Sequence, residues 1–164
     1  MKKTGVCKRI LVFVMMAALA AGCMPAGVKA KSTGYEFTYK KAAAYMGGPA
    51  KKLIEKAGKP KSKKVKKSCA YKGKDRTYKY KDFILYTYSH SDNGAEYVNG
   101  ITFLTSDVST KEGIHIGSPF SSVEKKYGSA KDNFGVYTYK KGKCKLQIEV
   151  TDEVVTNIRY IIAK

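Results

Sequence analysis

In "KLQIEV", residues 145–150, apolar and polar positions alternate strictly. Leu146, Ile148 and Val150 point one way and Lys145, Gln147 and Glu149 the other, the pattern of a strand with one wet face. "YKYKDFILYTY", residues 78–88, and "YTYKKGKCKLQIEV", residues 137–150, are rich in aromatic and β-branched residues, and "KKGK" breaks the second as a hairpin turn. "VNGITF" from Val98 and "VTNIRY" from Val155 read as matching strands, with Ile101 and Phe103 answering Ile158 and Tyr160.

Two segments carry helical spacing instead. "GGPAKKLIEKAG", residues 47–58, and "GSPFSSVEKKYG", residues 117–128, each have proline near the start and glycine at the end, the asymmetry of a short helix. Ala50, Leu53, Ile54 and Ala57 share one face of the first. Phe120, Val123 and Tyr127 hold the same places in the second, with Lys125 and Lys126 turned outward. Helices this short are marginal alone and need a surface to lean on. The matched frames and closing strands predict an α+β protein, a tandem repeat of a short helix packed on an antiparallel β-meander. Residues 31–112 make the first repeat and residues 113–164 the second, joined through "TSDVSTKEGIHIG", residues 105–117.

Residues 1–30 read differently. A basic stretch, "MKKTGVCKR", precedes the apolar "ILVFVMMAALAAGC" and then "MPAGVKA", which ends in a small residue. That is a signal peptide, its apolar run shorter than the roughly 18 to 20 residues a spanning helix needs. Two processing sites compete. Val28 and Ala30 suit an ordinary signal peptidase, while "LAAGC" resembles a bacterial lipobox, with Ala20 where Leu is usual. The second would make residues 1–22 a lipoprotein signal and Cys23 the lipidated first residue. Either site predicts an extracytoplasmic protein, secreted or lipid-anchored to the outer face of the cell membrane.

Charge sharpens this picture. The formal net charge is +19, and loss of Lys2, Lys3, Lys8, Arg9 and Lys29 with the leader leaves most of it. Outside the cell a basic protein meets anionic lipid headgroups and wall polyanions, although charge also serves solubility alone. The densest run is "KPKSKKVKK", with Lys59, Lys61, Lys63, Lys64, Lys66 and Lys67, extended by Lys51, Lys52 and Lys56 of the first helix. It reads either as a polyanion-binding site or as a solvated loop. Cys69 and Cys144 are an even pair in a compartment that permits oxidation, open to two readings: a disulfide, or two separate half-buried thiols. There are 13 tyrosines and no tryptophan, and Tyr78, Tyr80, Tyr86 and Tyr88 fall at alternate positions. They form either an aromatic stripe on an exposed face or rings at the edge of the core.

Reactive chemistry is sparse. The sequence has no Gly-rich phosphate loop, His-Glu metal helix, Cys-x-x-Cys pair or nucleophile elbow. His90 has Ser89, Ser91 and Asp92 beside it, but adjacent side chains point apart and do not make a triad. His115 alternates with Ile114 and Ile116 and is expected to face solvent on a short strand. No carboxylates form the spaced pair of a glycoside hydrolase, and "SDNGAE" lacks calcium-loop spacing. The chain therefore reads as non-enzymatic, with no catalytic residue, cofactor, metal or specific nucleic acid.

"SCAYKGKDRTYKY" with Cys69, "YTY" at 86–88, "STKEGIHIG" at 109–117 and "VEKKYG" at 123–128 resemble exported or lipid-anchored proteins of anaerobic Gram-positive bacteria, over nearly all of the mature chain. More remotely, a glycine-bounded short helix followed by a meander is similar to the β-lactamase-inhibitor-like fold, whose two-repeat plan suits tandem copies. These resemblances imply a binding or scaffold protein of the cell envelope, its partner an envelope protein or an anionic surface. They carry over no functional residue.

Overall fold

The chain is described here by a computed structural model over residues 34–70 and 72–163. The expected signal peptide, both expected processing sites and Cys23 lie outside the described residues. The first element is a hairpin, β1 (Glu36–Tyr39) and β2 (Ala42–Tyr45), followed by helix α1 (Lys51–Ala57). Strands β3 (Ser62–Lys67), β4 (Lys74–Lys79), β5 (Phe83–Ser89) and β6 (Glu96–Phe103) come next. After helix α2 (Phe120–Tyr127) the chain forms β7 (Asp132–Asn133), β8 (Val136–Lys141), β9 (Cys144–Thr151) and β10 (Val154–Ile162).

The helices form where the Pro-Gly frames predict them, and both end at a glycine with positive φ, Gly58 at 79° and Gly128 at 81°. The prolines sit just outside. Pro49 and Pro119 bridge to Tyr97 and Val154, so each helix is entered from a segment clipped to a strand. Gly47 donates to the carbonyl of Val98 at 2.7 Å, and Gly117 to that of Val155 at 2.8 Å.

β3 to β10 form one antiparallel sheet of eight strands in the order β3-β4-β5-β6-β10-β9-β8-β7. Its middle is the pairing of β6 with β10, with Ile101 opposite Tyr160. One face of this sheet is covered. The hairpin plants Phe37 with its ring 5.1 Å from Phe83 and 5.5 Å from Phe103. α1 approaches the hairpin, and Phe120 and Tyr127 of α2 lie over Tyr137 at 4.2 Å and Tyr139 at 5.1 Å. Val108 and Ile114 from the connecting segment complete the core. Polar groups tie the cover down: the Tyr39 hydroxyl donates to the buried Asp82 carboxylate at 3.1 Å, and Tyr45 donates to Glu36 at 2.7 Å.

The expected fold class is corrected by this topology. The protein is a predominantly antiparallel β structure, a sandwich-like layering of a small hairpin and two short helices on one continuous sheet, and not an α+β tandem of helix-covered meanders. Helices of seven and eight residues are too small to cover a meander each. An aromatic hairpin and a long connection share that work, and the β6-β10 pairing merges the strands into a single layer. Residues 105–117 hold turns rather than a strand at His115. Ile114 is buried, and the His115 ring nitrogen Nδ1 lies 2.9 Å from the Ile116 carbonyl.

Candidate functional site

Because strand side chains alternate, the face opposite the core is built from the other half of every strand. On the core side one row across the sheet reads Tyr78, Leu85, Ile101, Tyr160, Leu146 and Tyr139, all buried. One residue away, the row on the open side reads Lys64, Thr77, Tyr86, Gly100, Ile161, Lys145 and Lys140. A short parallel row places Lys66, Asp75, Tyr88 and Tyr97 in line.

Where these rows meet the loop after β3, the open face sinks into a groove of about 510 Å³. Tyr86, Tyr88, Gly100 and Ile161 line its floor, Asp75 and Asn99 stand at its sides, and residues 68–70 form a wall. Gly100 makes the depression: a Cβ there would lie 3.1 Å from the Tyr160 carbonyl oxygen and 3.6 Å from the Tyr86 ring. Asn99 is the extra residue where the β5-β6 register shifts, and the bulge turns its exposed amide toward the groove. Beside the groove the rings of Tyr88, Tyr97 and His90 meet at 5.4 to 5.6 Å.

The electrostatics of this face are lopsided. Lys64, Lys66, Lys79, Lys140, Lys145 and Arg159 all fall on it, against Asp75 and Glu149, and Glu149 is engaged by Arg159. Lysine is a compact point charge on a flexible stem, suited to an anion whose position varies.

The lysine run is neither a loop nor one patch. Ser62–Lys67 is the edge strand β3, exposed at every position, so Lys64 and Lys66 face the groove side while Lys63 and Lys67 face the other. Lys63 sits 5.0 Å over the ring of Tyr78, and Lys61 donates its backbone N–H to the Lys79 carbonyl at 2.7 Å. Lys59 follows the glycine that ends α1 and is exposed. Lysines on an edge strand also deter pairing with other chains, and half-exposed Val65 is the lone apolar residue of this one.

The two cysteines are not joined. Cys69 is an exposed free thiol in the groove wall, and Cys144 is a buried free thiol at the start of β9. Cys69 stands on the open side of the sheet, whereas Cys144 is packed into the core on the covered side. Burial pushes the Cys144 thiol up to about 11, so it stays protonated and unreactive at neutral pH. The tyrosine stripe divides as well. The turn between β4 and β5 leaves Tyr78 and Tyr80 buried under the cover and Tyr86 and Tyr88 on the open face. Tyr78 donates to both carboxylate oxygens of Glu96, and with desolvation leading, its phenol is held well above the usual range. Among the described residues no three of His, Cys, Asp and Glu gather as a metal site, and no helix is long and apolar enough to cross a membrane.

Asp75, Asn99, Gly100, Lys145 and Ile161 had no sequence signal as a group. Their pairing register alone brings them together. Compared with known families, curated proteins and solved structures, the chain matches none.

Proposed function

We propose that this chain is a non-enzymatic binding protein of the extracytoplasmic space that holds an anionic partner against the open face of its sheet. The observation that carries this reading is the pairing of an aromatic-floored groove with lysines on both sides of it in one cross-strand row. A concave site with an apolar floor and a few converging polar groups is the usual form of a binding surface. The cation excess around it selects the sign of the partner and speeds encounter.

Residues 51–67 alone are a weaker carrier. Their lysines spread over a helix and both faces of an edge strand, so only part of the run can touch one surface at a time.

Poly-L-glutamate titrated calorimetrically at rising salt tests the reading. Binding should be present at about 50 mM salt and fall steeply by about 200 mM. Replacing Lys64, Lys66 and Lys145 together by Gln should flatten that dependence, whereas replacing Lys51, Lys52 and Lys56 should not. Absence of binding at low salt, or loss through the helix lysines alone, would overturn it.

A further inference from the structure

Taking the anionic partner as given, we propose that the groove is a sugar-ring subsite and that the open face takes an anionic polysaccharide laid across the strands. A neutral ring sits over Tyr86 and Tyr88, and acidic groups farther along the polymer reach Lys64 on one side and Lys145 on the other.

The charge pattern separates the parts of the ligand. Asp75 stands at one side of the groove, so an anion is disfavoured within it, while a hydroxyl that donates to the carboxylate is favoured. Asn99 offers both a donor and an acceptor from the opposite side, the pairing a polyol ring satisfies. The floor supplies two tyrosines, whose rings present apolar faces and whose hydroxyls are polar tips. Gly100, with no side chain, lets the Tyr86 ring and Ile161 close over the backbone as a low apolar floor for a flat ring. A volume of about 510 Å³ lies in the range of small-ligand sites.

The cations lie outside this centre. Lys64 is two strands from Tyr86, about 10 Å, and Lys145 three strands away on the other side, about 14 Å. A ligand that fits carries a neutral, hydroxyl-rich ring between acidic groups, as a polysaccharide that alternates neutral units with uronate- or phosphate-bearing ones does. An acidic peptide fits less well, because an extended chain places a side chain every 3.3 Å or so and sets carboxylates beside Asp75.

Hyaluronate, in which neutral N-acetylglucosamine alternates with glucuronate, and poly-L-glutamate, matched in number of carboxylates, separate the two, since both carry carboxylates and only one sets a neutral sugar ring between them. The wild-type protein should bind hyaluronate about tenfold more tightly. Tyr86→Ala or Tyr88→Ala should remove that preference while leaving poly-L-glutamate affinity within about twofold. Asn99→Ala, at an exposed bulge position, should weaken hyaluronate alone by about threefold and serves if a tyrosine variant fails to fold. Lys64→Gln with Lys145→Gln should weaken both polymers. Equal affinity for the two, unchanged by Tyr86→Ala or Asn99→Ala, overturns the sugar subsite and leaves the anionic-partner reading standing. Binding only to phosphatidylglycerol vesicles likewise overturns the subsite, and binding to no anion overturns both.

Discussion

The two faces of the eight-stranded sheet share every backbone hydrogen bond and differ only by a step of one residue. On one face that step meets Leu85, Ile101 and Leu146 under an aromatic cover; on the other it meets Tyr86, Gly100 and Lys145 away from that cover. The covered face is specified by volume and the open face by charge and by a missing side chain. The same pleat therefore serves stability on one side and recognition on the other, and substitutions should separate the two almost completely.

The largest effect is expected at the cover. Phe37→Ala, removing a wholly buried ring that meets Phe83, Phe103 and Tyr160, should cost about 3 to 5 kcal/mol in denaturant unfolding. Next comes a matched pair on β5. Leu85→Ala on the covered side should cost about 2 to 5 kcal/mol, and Ile84→Ala on the open side under about 1.5 kcal/mol. Equal losses would mean that the open face is also covered. Gly100→Ala should cost about 1 to 3 kcal/mol, since its methyl meets the Tyr160 carbonyl at 3.1 Å.

Thiol chemistry reads the same contrast without unfolding. At pH 8, iodoacetamide should modify Cys69 promptly and spare Cys144 until the protein is denatured. Cys144 has a folded pKa raised from 9.0 to about 11, so its contribution to stability is full below pH 9 and is lost as pH rises toward 11. Cys144→Ala should shift that alkaline limb, and unchanged alkaline unfolding would refute the assignment.

The smallest effect lies on the acid side. The Tyr45 hydroxyl, and after it Lys111, hold the Glu36 carboxyl below its ordinary 4.5. The stability this adds is present above that value and lost as pH falls through the lower, folded value. Glu36→Gln should flatten the acid limb by under about 1 kcal/mol. An identical acid limb in the variant would show that Glu36 does not couple to folding.

Much of the local structure was legible. Proline and glycine framed both helices, and alternation placed Leu146 and Ile148 on the inner side of β9. The hairpin β1-β2 was not, for a chemical reason. Its turn holds Lys40 at φ 46° and Lys41 at φ 66°, where hairpins ordinarily show Asn-Gly, so the usual signal was missing. β3 was hidden likewise, because a strand of lysines looks like a solvated loop until β4 lies beside it. The split of the tyrosines turned on the tight turn at Tyr80, whose N–H donates to Phe83 and reverses the chain within what reads as one aromatic run.

By itself, the order of residues settled the two helices and the strands of the core, that such a strand has a wet and a dry side, and that the chain is strongly basic. Periodicity, propensity and charge are local properties, and they survive in any fold. Only the tertiary structure decided that β6 lies against β10, that an aromatic hairpin covers one face, and that a groove opens beside Gly100 on the other. An alternating strand does not encode its neighbour or register. Those follow from how the aromatic rings fill the space between the layers.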